Sequence, residues 1–154
     1  MYWISAKGPT VPDNLRLDVK LLSSQDLAQG LKRLTFRIQG PSTIDLIVSP
    51  NGELDEWSFT GGHFGLGRMW KDGRSAYSIG FTRGGREAAT DGGLNTEFWM
   101  DVKDTTSVIM AATGHIQHGS SDMQEELRHF LGDFPEWAFP AAWTVDYKIY
   151  EMNV

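Results

Sequence analysis

Residues 121–152 read SDMQEELRHFLGDFPEWAFPAAWTVDYKIYEM, and the fold is read outward from this tail. Ser121 is placed to cap a helix, with Gln124 three positions on to complete a capping box. Asp122, Glu125 and Glu126 fall in the first turn, where the helix dipole favours anions. Met123, Leu127, Phe130 and Leu131 share one helical face, Gly132 suits the C-terminal cap, and Pro135 forbids continuation. A proline-set aromatic turn follows, built from Phe134, Pro135, Trp137, Phe139, Pro140 and Trp143. Prolines hold such a turn at little entropic cost, so Trp137, Phe139 and Trp143 are expected to be buried where it meets the rest of the fold. Trp143, Val145, Tyr147 and Ile149 then alternate as a final strand with one apolar face.

The chain before the tail has the same period of two. Leu15, Leu17, Val19 and Leu21 alternate with Arg16, Asp18 and Lys20. Leu34, Phe36 and Ile38 alternate with Arg33, Thr35 and Arg37; Gly40-Pro41-Ser42 is a turn; Ile44, Leu46 and Val48 form the next inward row. Asn51-Gly52 is a hairpin signal, since both residues tolerate positive φ, and a shorter strand follows with Trp57 and Phe59 on one face. Tyr77, Ile79 and Phe81 alternate, as do Phe98, Met100 and Val102, which leaves Trp99 on the opposite face. Val108, Met110 and Ala112 form a strand whose other row, Ile109 and Ala111, is also apolar. Residues 61–73 and 83–94 are glycine-rich loops. Short strands spaced by turns predict a mainly β fold, an antiparallel β-sandwich of about eight strands with one α-helix near the C-terminus. Residues 1–14 read as an entry segment, whose Tyr2 and Trp3 pack on the domain or mark a cut from a longer chain, and 15–154 as a single domain.

Composition narrows the function classes. The net charge is −6, with lysine and arginine scattered, so no basic patch suits a nucleic acid. No apolar run approaches the roughly 20 residues of a membrane span, and no signal peptide is seen, so membrane insertion by this chain is not expected and the isolated chain should be soluble. With no cysteine, disulfides, thiolate metal sites and a cysteine nucleophile are excluded.

No cofactor or metal is expected, and no catalytic set stands out. His115 and His118 have His-x-x-His spacing and His129 follows, but a strand sends such a pair to opposite faces, and HExxH is missing. His63 lies in GGHFGLG, which lacks the lysine and following helix of a phosphate loop. Asp45, Glu53, Asp55 and Glu56 could build a calcium or hydrolase site only by converging in one pocket. Trp57, Trp70 and Trp99 are the candidates for ligand or partner contact. Exposed in a concave face, such rings would stack on a glycan; otherwise they supply core area.

In its order of segments the chain resembles the C-terminal domain of endoplasmic reticulum metallopeptidase-like proteins: LKRLTFRIQGPS, then LDEWSF, YSIGFTRG and EFWMDV, then an alanine-rich strand, and finally FPEWAFPAAW with TVDYKIY. The resemblance covers residues 31–152 and is carried chiefly by the tail. It implies a non-catalytic accessory domain in the endoplasmic reticulum lumen, partnered by the peptidase and transmembrane regions of a parent chain. In such proteins the zinc ligands belong to an N-terminal peptidase domain, so none transfers to a residue here.

Overall fold

The computed structural model describes residues 11, 13–59, 68–83, 93–117, 129, 132–135, 137 and 143–154. Among these residues nine strands follow one another: β1 (Asp18–Asp26), β2 (Leu31–Gly40), β3 (Thr43–Pro50), β4 (Glu53–Trp57), β5 (Arg68–Met69), β6 (Ser75–Thr82), β7 (Leu94–Lys103), β8 (Ser107–Gln117) and β9 (Trp143–Asn153). They form a four-stranded sheet in the order β1-β2-β7-β4 and a five-stranded sheet in the order β5-β6-β3-β8-β9. All paired strands run antiparallel.

The core lies between the sheets and is filled by the rows that alternation singles out. Leu34, Phe36 and Ile38 of β2 and Phe98, Met100 and Val102 of β7 face Ile44, Leu46 and Val48 of β3 and Val108, Met110 and Ala112 of β8. Phe36 and Phe98, directly opposed across β2 and β7, stack with centroids 5.3 Å apart. Trp57, Phe59, Tyr77 and Phe81 close one side of this core through edge and tilted ring contacts.

The chain repeatedly changes sheet at short corners. The Asn51-Gly52 step is one of them: β3 and β4 lie in different sheets, so the hairpin expected there is not formed. Asn51 instead uses its side chain. Its Oδ1 accepts from the Thr105 hydroxyl and from the main-chain N–H groups of Thr106 and Ser107, and its Nδ2 donates to the Thr106 hydroxyl. The β3–β4 corner is thereby tied to the β7–β8 corner. Gly52 is needed there for space, because a Cβ would collide with the Lys103 carbonyl oxygen.

The described residues hold the about eight strands expected, with the two-residue β5 added inside a stretch read as loop. Two expectations are corrected. No α-helix is among the elements of the described residues, so the expected C-terminal α-helix is not seen among them; beside the strands they form two short 3-10 turns, Asp13–Leu15 and Ala28–Gly30. The span expected to be helical, 121–131, lies outside the described residues apart from His129.

The second correction concerns β9. Its apolar row Val145, Tyr147 and Ile149 points outward, exposed by 51%, 57% and 56%. The inward row is Asp146, Lys148, Tyr150 and Met152, opposite Gly114, Ala112, Met110 and Val108 of β8. Two charged residues are tolerated there because both bind main chain: Asp146 Oδ2 accepts from the Leu17 N–H at 3.2 Å, and Lys148 Nζ donates to the Leu17 carbonyl. This clasp joins the free edges of the two sheets at β1 and β9, over the fully buried Leu17 side chain.

Candidate functional site

The outer face of the four-stranded sheet carries the best-organised polar cluster. β2 and β7 set Arg33 opposite Asp101, Thr35 opposite Trp99 and Arg37 opposite Glu97. Arg33 grips Asp101 with two hydrogen bonds of 2.7 Å, through Nε and Nη2. Its guanidinium carbon also lies 4.0 Å from the centroid of the Trp99 ring. Asp101 is only 4% exposed, so its charge is held by the paired arginine fork rather than by water. The hydrogen bonds to Asp101 hold the Arg33 guanidinium above its ordinary pKa range. Arg37 makes a similar but more exposed pair with Glu97, 2.7 Å at Nη2.

The three tryptophans singled out as contact residues lie in three settings. Trp99 is half-buried, with Arg33 laid against its ring, and its main-chain N–H donates to the Ser58 hydroxyl at 3.1 Å. Trp57 packs edge-on against Phe59 and Tyr77 at the core margin. Trp70 is half-buried in the turn between β5 and β6, where its main chain bonds Arg74 and Gly73. The structure does not bring these rings together into one face.

The carboxylates are also dispersed: Asp45 stands on β3 of the five-stranded sheet, while Glu53, Asp55 and Glu56 belong to β4 of the other. Asp45 pairs instead with His115 of β8, Oδ2 to Nε2 3.1 Å, on the outer face of its own sheet. His129 is exposed, and His63 and His118 lie outside the described residues. Among the described residues no group of three or more histidine or acidic side chains could hold a metal ion.

In the aromatic turn, Trp137 is 80% exposed and Phe134 is also exposed, which corrects the expectation of burial for Trp137. A proline sets its own φ but does not supply a surface for its neighbour to pack on. Pro135 is exposed, whereas Phe139, Pro140 and the side chain of Trp143 lie outside the described residues.

Alternation missed the outward apolar row of β9 and the Leu17 clasp behind it. The available signal was the inner half of the motif: in TVDYKIY the charged pair Asp146 and Lys148 lies in one row with Tyr150 and Met152, so both rows of the strand carry apolar residues.

Comparison with known proteins identifies a family. A family model described as endoplasmic reticulum metallopeptidase 1, C-terminal domain, matches residues 1–150. Endoplasmic reticulum metallopeptidase 1 of Mus musculus is 24% identical over 150 residues, covering 93% of this chain and 16% of the relative. The Homo sapiens and Rattus norvegicus proteins of that name are each 24% identical over 138 residues, covering 85% of this chain and 14% of theirs. The chain therefore spans 14–16% of the length of these curated relatives. No solved structure matches.

Proposed function

Since the chain belongs to the family of endoplasmic reticulum metallopeptidase 1 C-terminal domains, we propose that it serves as a non-catalytic accessory domain on the luminal side of that compartment. In this role it supports or contacts the peptidase and membrane parts of a longer chain. The observation that carries the reading is one of proportion: the family model takes residues 1–150, nearly the whole chain, yet the same stretch is only 14–16% of each relative. The placement of the polar groups favours the same view. Arg33 and Asp101, Arg37 and Glu97, and Asp45 and His115 each have a partner side chain and are spread over the outer faces of two sheets. No helix of the described residues is long and apolar enough to cross a membrane.

The test has two arms. Zinc content and aminopeptidase turnover are measured on the isolated chain, and neither stoichiometric zinc nor turnover is expected. Tight zinc accompanied by turnover would overturn the non-catalytic reading. Binding is then measured between this chain and the remainder of a family metallopeptidase from which the C-terminal domain has been deleted. Saturable binding is expected, and its absence would sink the contact role while leaving the family assignment intact.

A further inference from the structure

Among the described residues, the edge strands β1, β4 and β5 are unsuited to pairing with another strand. β1 is bulged between Leu21 and Ser23 and continues as polar Ser23-Ser24-Gln25-Asp26. β4 has five residues and a bulge between Leu54 and Glu56, and β5 has two residues. Bulges, short length and polar side chains are the usual protections of an edge. β9 is different. It runs for eleven residues and keeps an unbroken register with β8 from Trp143 to Asn153. Among the described residues no strand pairs with its far side.

The side chains of β9 are also self-complementary about Tyr147. One step to either side stand Asp146 and Lys148, of opposite charge; two steps away stand Val145 and Ile149, both apolar and both exposed. We propose that β9 pairs with β9 of a second copy of this chain, antiparallel, about a two-fold axis at Tyr147, so that the two five-stranded sheets become one continuous sheet. In this register Tyr147 opposes Tyr147, Val145 opposes Ile149, and Asp146 opposes Lys148 twice over. Aromatic, apolar and opposite-charge pairs directly across a ladder are all favourable. The neighbouring registers that keep the faces aligned set Asp146 against Asp146 or Lys148 against Lys148, and like charges directly opposite are unfavourable. The inward charges that would ordinarily discourage edge pairing thus select one register. The contact is isologous, so it closes at two copies.

The test measures mass as a function of concentration for the 154-residue chain, by sedimentation equilibrium. A monomer–dimer equilibrium is expected. Tyr147→Glu sets two carboxylates against each other at the axis and should weaken association at least ~10-fold, with the monomer's melting curve unchanged because residue 147 is exposed. A second probe uses the lack of cysteine in this chain. Opposed residues across an antiparallel ladder lie about 4.5–5.5 Å apart between Cα atoms, within reach of a disulfide. Tyr147→Cys should therefore cross-link on mild oxidation at least ~10-fold faster than Ile149→Cys, whose copies are set too far apart to bridge. Three results overturn the proposal: one-chain mass at every concentration, including a monomer whose edge takes up an extended peptide instead; a dimer undiminished in Tyr147→Glu; or equal cross-linking rates at the two positions.

Discussion

β2 and β9 carry the same signal in sequence and meet opposite fates. In β2, Leu34, Phe36 and Ile38 alternate with Arg33, Thr35 and Arg37, and the apolar row is fully buried. In β9, Val145, Tyr147 and Ile149 alternate with Asp146, Lys148 and Tyr150, and the apolar row is more than half exposed. β2 is an inner strand whose polar row has charged partners on the same outer face, in Asp101 and Glu97 of β7. β9 is an edge strand whose polar row finds hydrogen-bonding partners inside, on the main chain of Leu17. A period of two therefore separates the two faces of a strand without saying which one is buried. Available partners decide that, and shifting the assignment by one residue inverts every side chain.

The contrast can be broken most forcefully at its buried end. Phe36→Ala should cost about 3–5 kcal/mol in urea unfolding, as core aromatic truncations do, because the ring is fully buried and stacked on Phe98. A loss below about 1 kcal/mol would mean that the inner faces are not packed as described. The clasp comes next. Asp146→Ala removes the acceptor of the Leu17 N–H and should cost about 1 kcal/mol, the net worth of a typical hydrogen bond. A gain in stability would show that the inward charge is a burden and not a tie. Smaller still is the outer row: Ile149→Thr, measured at concentrations where the chain is monomeric, should lie within about 0.5 kcal/mol of the parent, as exposed substitutions do. A cost near that of Phe36→Ala would place the row under cover and erase the comparison.

The finest test uses pH. Burial, and then the nearby negative charge of Asp18, hold the Tyr150 hydroxyl above the usual tyrosine range. The folded protein therefore favours the protonated phenol more than the unfolded chain does. The resulting contribution is complete below the ordinary tyrosine value of about 10 and is lost as pH rises through the raised one. Unfolding free energies followed upward from pH 9 should decline less steeply in Tyr150→Phe than in the parent. Identical slopes would show that this inward residue is solvated like an outward one.

Much of the sandwich was legible because hydrophobic rows are local. Each of the eight strands read from alternation has its counterpart, and the rows of β2, β3, β7 and β8 face the core as expected. Two kinds of feature escaped. β5 has two residues and no period to detect. Asn51-Gly52 has the residue chemistry of a tight hairpin, yet it serves a corner between sheets, where the Asn51 side chain is bonded to residues 105–107. The polar cluster was half legible: Trp99 was placed on the outer face, but its arginine neighbour could not be foreseen, since Arg33 and Trp99 are brought together only by the β2–β7 register.

The amino-acid sequence alone determined where strands occur and that each has two unlike faces, because the pleat converts composition into a period of two. It also carried the likeness to a family, since segment order and an aromatic, proline-containing tail survive in linear form. Only the tertiary structure decided which strands share a sheet, which face of β9 looks inward and which edge is left long and regular. Those outcomes rest on partners remote in the chain: Leu17 for Asp146 and Lys148, Thr105 to Ser107 for Asn51, Asp101 for Arg33. A side chain's own chemistry states what kind of partner it needs; the fold decides where that partner stands.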